Sequence, residues 1–470
     1  MNNKCCSNVE SKYKLYLILI LGFNLIIKLL LYYNTTSFDV SEAGSNYSFL
    51  NIIGNGERPA LYSGVYRSIL GYIGYFFKSI FGTLDAFFWF QALIATLSVF
   101  ILYLICLKVT EHRLSALLTV LLATIFMDYH LLTPVFYYQI FEIFFTLLIV
   151  YFILLIVAKH KVMKSAGILL IPIIIYLSIL FRGTLTYFWL LLLIISIYYL
   201  IRKDIELFSR LAATGIITLL LFLIFPQDHY RKNDISIAND FIFFGHTLYG
   251  GDGGEGSFVY VKNKNRYDER LREFMIKKHY NSATVEVQNE FKNKEIREFV
   301  LKTPHKWIIL QIRKIAYTFG IVPIRDSLKI LTTGKLSLKW YLSAIIIQVP
   351  FVIIILIFII LITLFVKIAD FHDVKYFIIF IVLLYLVAAA CLFGHYQERY
   401  RNVIIMAGIL PVIAFYIKKF IDWSLNKSIK RKRLIVLILF LLIILSHWGY
   451  QAYNALVTNS ARYINAVKHF

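Results

Sequence analysis

The chain has 470 residues, of which 59% are hydrophobic and only 16% are charged. This composition excludes a water-soluble globular domain, because many apolar runs approach the roughly 20 residues that a helix needs to cross a bilayer. The formal net charge of +22 does not indicate nucleic-acid binding, since much of the basic charge lies in short loops beside apolar runs, where the positive-inside rule places it. We therefore predict an all-α polytopic membrane protein, because helices satisfy their own backbone hydrogen bonds in lipid.

The apolar runs predict about eleven transmembrane helices, with the N-terminus on the cytoplasmic side because lysines precede the first run. The predicted spans are Leu15 to Tyr33, Asp85 to Leu107, a third ending near Met127, Val135 to Ala158, three ending near Phe181, Ile201 and Phe225, Tyr341 to Val366, Tyr376 to Gly394, Asn402 to Ile417, and Leu434 to Tyr450. Residues 1–417 form the predicted transmembrane module, which includes the outer loops 34–84 and 226–340. Residues 418–470 add a basic inner loop, the last span and an outer tail.

Whether the apolar segment Lys306 to Val322 crosses the membrane determines on which side of the membrane the later loops lie. This piece is short and carries Arg313 and Lys314 near its centre. If it crossed the membrane, the basic cluster Lys427 to Arg433 would fall outside, against the positive-inside rule. We therefore predict a juxtamembrane helix that lies on the outer surface with snorkelling basic side chains.

With this topology, the polar groups suited to chemistry collect at the outer face. Asp39 and Glu42 follow the first span, and His130 and Glu142 flank the turn between the third and fourth spans. The basic candidates at this face are Arg182, Arg231, Lys232, His395, Arg399 and Arg401. A charge near the end of a membrane helix needs a cavity, a partner or the interface. Each residue alone also fits a structural role, as a solvated loop acid, a snorkelling helix end or an interfacial histidine.

Short motifs occur in an order that resembles the GT-C class of integral-membrane glycosyltransferases, close to glycosyltransferase family 39 and the bacterial aminoarabinose transferases. They are DVSE at 39–42, GNGERPALYSGVY at 54–66, TPVFYYQIFE at 133–142, LFRGT at 180–184, FPQDHYRKND and GHTLYGG within 225–251, and GHYQERYR at 394–401. In that family an acidic motif follows the first span, and a Gly-Pro-Tyr segment leads into a juxtamembrane helix, here the aromatic run Tyr66 to Phe81. The resemblance covers Leu15 to Ile417. The spacing after Asp39 departs from the family pattern, so either Asp39 or Glu42 fits the position of the base.

The resemblance implies a GT-C-like enzyme that moves a sugar from a polyprenyl-phosphate donor to a lipid, glycan or protein acceptor at the outer face of a bacterial plasma membrane. It implies inversion at the sugar carbon, without cofactor or metal. Asp39 is then the candidate base, with Glu42 as the second candidate, while Glu142 and His130 orient the acceptor. A positioned carboxylate that takes the hydroxyl proton contributes typically ~10²–10⁴-fold. The basic residues of the outer face would bind the donor phosphate, whose charge grows as it leaves.

Two other classes of membrane protein handle the same lipids. One is an O-antigen-type polymerase, and the other is a transporter of polyprenyl-linked sugars. A transporter is expected to place charged residues at the midplane and often has inverted repeats, and the sequence indicates neither. A polymerase would also need arginines at the outer face, so these arginines do not distinguish it from a glycosyltransferase. The acidic residues of the first outer loop distinguish the two classes better.

Overall fold

The computed structural model describes residues 2–35, 50–51, 65–158, 163–181, 185–224, 264–282, most of 284–321, 325–389, 401–424 and 431–453. No strand occurs among these residues, in agreement with the predicted all-α class. The chain divides into two compact units. The first unit comprises Met1–Phe225, Ile321–Leu384 and Asn402–Phe470, and the second comprises Pro226–Gly320 and Tyr385–Arg401.

The described helices follow the predicted apolar runs closely. They are α1 Asn2–Asn34, α2 Val65–Phe81, α3 Asp85–Thr110, α4 Arg113–Ile125, α5 Met127–His130, α6 Gln139–Val157, α7 Met163–Phe181, α8 Phe188–Ile201, α9 Ile205–Ile224, α10 Lys264–Lys278, α11 Pro304–Thr318, α12 Arg325–Thr333, α13 Trp340–Phe365, α14 Val374–Val387, α15 Arg401–Ser424 and α16 Arg431–Tyr453. A short 3-10 helix, Ile368–His372, connects α13 to α14. Within α15, Ile404–Ile409 is π-helical.

By length and composition, five of the described helices are able to cross a membrane. They are Glu10–Asn34, Asp85–Thr110, Gln139–Val157, Trp340–Phe365 and Arg401–Ser424. Several other apolar helices among the described residues are shorter, such as α4 and α8. The described helices therefore support a multi-pass membrane protein, but the predicted count of eleven spans is not confirmed.

The start of α6 corrects the sequence-based boundary. The fourth span was predicted from Val135, which would place Glu142 about two turns inside the helix. Instead, α6 begins at Gln139, and Glu142 lies in its first turn. The cause is the buried side chain of Gln91, whose Nε2 atom donates to the carbonyl oxygens of Thr133 and Val135, each at 2.7 Å. These carbonyls are thereby satisfied outside a helix.

One end of the first unit is built from packed aromatic rings, and we call it the aromatic end. The rings of Phe87 and Phe136 meet edge to face at 4.9 Å, and Phe141 stacks on Phe181 at 4.9 Å. Further buried members come from α1, from the turn before α6 and from α12: Leu31, Tyr32, Leu131, Tyr137, Tyr138, Leu328 and Leu331. Aromatic pairs of this geometry add to the stabilisation that burial alone provides. The aromatic end therefore holds segments that are far apart in the sequence.

The opposite end of the first unit, which we call the ion-paired end, joins loops through charged groups. Its contacts are Glu10 with Arg113 (3.0 Å), Glu111 with Lys375 (2.5 Å), Arg202 with His372 (2.5 Å), and Asp370 with Lys419. The sequence analysis places all of these loops on the inner side. Their excess of basic residues is typical of cytoplasmic loops.

The two ends also define the direction of the helices on either side of residues 225–339. Helix α9 starts beside Arg202, at the ion-paired end, and runs away from it. Helix α13 starts at Trp340, which packs against the aromatic cluster, and ends beside the 3-10 helix at the ion-paired end. The chain therefore makes no net crossing between α9 and α13. This is the arrangement that a surface location of Lys306 to Val322 predicts.

The second unit contains α10 and α11. Helix α11 covers most of the predicted surface helix Lys306 to Val322. After α10, the hydroxyl of Tyr280 donates to Glu290 at 2.5 Å, and Lys278 lies 3.3 Å from the same carboxylate. These contacts fold the end of α10 onto the following segment.

Candidate functional site

The predicted site residues fall into two groups. The structure describes His130, Glu142 and Arg401. The others lie outside the described residues: Asp39, Glu42, Arg182, Arg231, Lys232, His395 and Arg399.

Both ends of the predicted outer loop 34–84 are fixed at the aromatic end. At its start, the backbone N–H of Lys335 donates to the carbonyl oxygen of Asn34 at 2.7 Å. Gly334 permits this approach, because a Cβ atom there would lie 2.9 Å from the same oxygen. At the other end of the loop, Asp85 accepts a hydrogen bond from the hydroxyl of Tyr32. The acidic motif at 39–42 therefore follows a firmly anchored helix end.

Helix α2 confirms the helix predicted for Tyr66 to Phe81. Its inner face packs through Gly74, where an added Cβ atom would meet the ring of Phe136 at 2.6 Å. Its other face exposes large apolar side chains, including Tyr72, Phe76 and Ile80. An amphipathic helix with exposed aromatic side chains suits the boundary between lipid and water. The juxtamembrane role of α2 stays a prediction.

His130 is a fully buried imidazole on α5. Its Nε2 atom lies 2.7 Å from the carbonyl oxygen of Thr124. Because a carbonyl oxygen only accepts, Nε2 carries the proton, and Nδ1 is left as an acceptor without a partner among the described residues. Burial, and secondly the charge of Lys28, lower the pKa of His130 well below its ordinary value. His130 is thus a neutral imidazole whose acceptor nitrogen has no partner in the described part of the chain.

The sequence analysis missed Lys28, which lies within α1. Its side chain is fully buried. Its Nζ atom donates to the Oδ1 atom of Asn24 and lies 5.2 Å from the centre of the Tyr129 ring. Asn24 in turn donates to the hydroxyl of Thr124 at 3.2 Å. The available signal was a lysine inside an apolar span, which is costly in a membrane and often functional.

Two buried carboxylates lie on the same short segment as His130. Asp128 is fully buried on α5, and Glu142 is 2% exposed in the first turn of α6. Both carboxylates make further contacts within the protein. The N-terminus of a helix favours negative charge, which suits Glu142. Among the described residues, no group of three or more His, Cys, Asp or Glu side chains is able to hold a metal ion.

Two carboxamides that the sequence analysis did not single out are also buried at helix starts. Gln139, in the first turn of α6, is 2% exposed, and Asn402, in the first turn of α15, is 1% exposed. The oxygen and nitrogen of each amide have no hydrogen-bond partner among the residues that the structure describes. A polar side chain in the first turn of an apolar helix was the signal available in the sequence.

Arg401 belongs to the second unit and is fully buried. Its Nη1 atom donates to the carbonyl oxygen of Gly320 at 2.9 Å, and the side chain makes further contacts. A buried guanidinium that holds a backbone carbonyl has at least a structural role. Its predicted role in phosphate binding stays a prediction.

The chain is structurally similar to an archaeal membrane enzyme. No family model matches the chain, and a comparison with curated proteins finds no match. The crystal structure of the oligosaccharyltransferase from Archaeoglobus fulgidus, tethered through a disulfide bond to an acceptor peptide containing the NVT sequon, is similar with a TM-score of 0.47 and 13% sequence identity. The similarity covers 92% of this chain and 54% of that chain, so this chain spans about half the length of the archaeal enzyme. A TM-score of this size does not establish a common fold.

Proposed function

We propose that this protein is a membrane glycosyltransferase that moves a sugar from a polyprenyl-phosphate donor to an acceptor at the outer face of a bacterial plasma membrane. The observation that carries the proposal is the convergence of chemical groups at the aromatic end. Both anchors of the acidic first loop lie there, next to the segment 127–142 with its two buried carboxylates and neutral imidazole. The ordered motifs that resemble the GT-C class run through these same segments.

Charge and chain direction support the proposed sidedness of the site. The ion-paired end gathers the basic loops and therefore faces the cytoplasm under the positive-inside rule. The aromatic end then faces outward. Aromatic side chains are enriched where a membrane meets water, and the phosphate of a polyprenyl lipid lies at the same boundary while its tail stays in the bilayer. The aromatic end is thus the place where such a donor and a water-exposed acceptor meet.

In the proposed reaction, the acceptor hydroxyl loses its proton to a carboxylate of the first loop as its oxygen bonds to the sugar carbon. The bond between that carbon and the phosphate oxygen breaks, and the phosphate leaves on its lipid with an added negative charge. Asp39 is the proposed base and Glu42 the alternative. The proposed phosphate ligands are the basic residues of the outer face named above, since arginine binds phosphate through two parallel hydrogen bonds. His130 and Glu142 would orient the acceptor.

The test is sugar transfer from labelled polyprenyl-phosphate sugars into membrane extract by the purified protein. Asp39→Asn keeps the size of the side chain but removes its basicity, so transfer should fall by roughly 10²–10⁴-fold. Glu42→Gln should lower transfer less. Asp422→Asn is the matched control, because Asp422 is an exposed carboxylate near the end of α15, on the ion-paired side.

Two results would redirect the proposal. If Glu42→Gln abolishes transfer while Asp39→Asn does not, Glu42 is the base. If neither variant lowers transfer, the first loop is not the active site. The alternative classes remain an O-antigen-type polymerase and a polyprenyl-lipid transporter. A transporter would move labelled lipid across a vesicle membrane without forming a new glycosidic bond, which the same preparation reveals.

A further inference from the structure

The two buried carboxamides, Gln139 and Asn402, are energetically out of place in a closed apolar core. Neither side chain donates or accepts a hydrogen bond among the described residues. In native proteins most buried polar atoms have a partner, and the exceptions call for a specific explanation, such as a ligand or an ordered water. Leaving such groups unpaired lowers stability. Their presence therefore points to a partner other than the described residues, such as a ligand or an ordered water.

The two amides lie at the same end of the first unit. Helix α6 starts with Gln139 directly after the buried aromatic residues Tyr137 and Tyr138. Helix α15 starts at the end opposite to Lys419, which is held at the ion-paired end by Asp370. The π-helical segment that follows Asn402 packs against α6. Asn402 and Gln139 thus lie in the first turns of two neighbouring helices that begin at the aromatic end.

The backbone near Asn402 carries a second signal. A π-helical turn widens an α-helix locally and occurs frequently at functional sites. Here it covers Ile404–Ile409. At Gly408 an added Cβ atom would lie 2.8 Å from a side-chain atom of Leu383 and 3.2 Å from its Cα atom. The π-helical segment is therefore closely packed against α14.

The chemistry of the two groups selects the ligand. A carboxamide offers an N–H donor and a carbonyl acceptor without carrying charge. Each hydroxyl of a sugar likewise donates one hydrogen bond and accepts others. Two carboxamides at the starts of neighbouring helices therefore match a neutral polyol better than they match a phosphate, which offers acceptors only. The apolar neighbours of both amides would also exclude competing water.

We propose that Gln139 and Asn402 form the subsite that recognises hydroxyl groups of the transferred sugar. This proposal rests on the proposed function and names the residues that determine which sugar is accepted. The two side chains bind hydroxyl groups of the sugar and take no part in proton transfer. Buried water alone at these amides is the competing explanation.

The test compares ligand binding by the purified protein in nanodiscs. The ligands are a polyprenyl phosphate, the same lipid carrying each of several sugars, and the corresponding free methyl glycosides. The variants are Gln139→Leu and Asn402→Leu, which remove the amides and keep approximate volume. Gln91→Leu is the matched control, because Gln91 is an equally buried glutamine whose amide nitrogen is fully engaged with backbone carbonyls.

The expected result has two parts. Without ligand, Gln139→Leu should melt at the same temperature as the wild type or higher, since no hydrogen bond is lost, whereas Gln91→Leu should melt lower. With ligand, Gln139→Leu and Asn402→Leu should each weaken binding of the preferred sugar lipid roughly tenfold. Binding of the sugar-free lipid should stay unchanged in both variants.

Three results would overturn the subsite. One is a fall in melting temperature for Gln139→Leu as large as that for Gln91→Leu. Another is equal affinity of all variants for the sugar lipid, which would mean that the two amides bind only buried water. The third is a wild type that transfers sugar but does not distinguish sugar lipid from sugar-free lipid. If no polyprenyl lipid binds or is transferred, the proposed function fails by itself. Binding of a methyl glycoside that depends on Gln139 would then still support the subsite, and absence of any carbohydrate binding would refute it.

Discussion

Replacement of Gly74 by alanine tests how α2 is seated beside the first loop. A Cβ atom at this position would lie 2.6 Å from Cζ of Phe136 and 2.9 Å from Cδ1 of Leu50. The ring of Phe136 is fully buried and packs edge to face on Phe87 at 4.9 Å. The ring therefore has little room to move, and either α2 or the turn before α6 must shift.

The magnitude is the balance of two effects. Alanine stabilises a helix relative to glycine by about 1 kcal/mol, whereas overpacking a close-packed core costs about 1–3 kcal/mol. Gly22→Ala in α1 is the matched control, since a Cβ atom there meets nothing within 4 Å. The free energy of unfolding of the control variant should therefore change only through the gain in helix propensity. The difference in the free energy of unfolding between the two variants should therefore be about 1–3 kcal/mol, with Gly74→Ala the less stable.

Reversible unfolding in mixed micelles, followed by circular dichroism, measures this difference. The same two variants should separate in the transferase assay, because a displaced α2 also disturbs the first loop that follows α1. Equal unfolding free energies for both variants would refute the close seating of α2 on Phe136. A Gly22→Ala variant that is less stable than the wild type would refute the reasoning about helix propensity that the comparison uses.

Further predictions concern topology and acid sensitivity. Single cysteines at Gly253 and Lys430 should be labelled by an impermeant reagent from opposite sides of the membrane, and outside labelling of both would contradict a surface location for Lys306 to Val322. The pKa of His130 is lowered in the folded state, so only the unfolded state gains this proton just below pH ~6.5. The free energy of unfolding should therefore fall there by up to about 1.4 kcal/mol per pH unit as the pH decreases. His130→Asn should flatten this slope in acid titrations.

The sequence alone determined the class of the fold and the position of most helices. The predicted span Asp85 to Leu107 differs from α3 by three residues at one end, and the run Tyr66 to Phe81 differs from α2 by one residue. These features are local, because hydrophobic length and helical periodicity are written in consecutive residues. The acidic motif after the first span is equally local, which is why Asp39 and Glu42 are candidates from the sequence.

Only the tertiary structure decided where α6 begins and which polar groups are buried. The side chain of Gln91 reaches carbonyls more than forty positions later in the chain, and no local pattern encodes that contact. Lys28 would snorkel to the membrane surface as an isolated side chain, but Asn24 and Tyr129 hold it in the core. Burial and hydrogen bonding depend on neighbours brought together by folding, so the unpaired amide of Gln139 becomes visible only when those neighbours are in place.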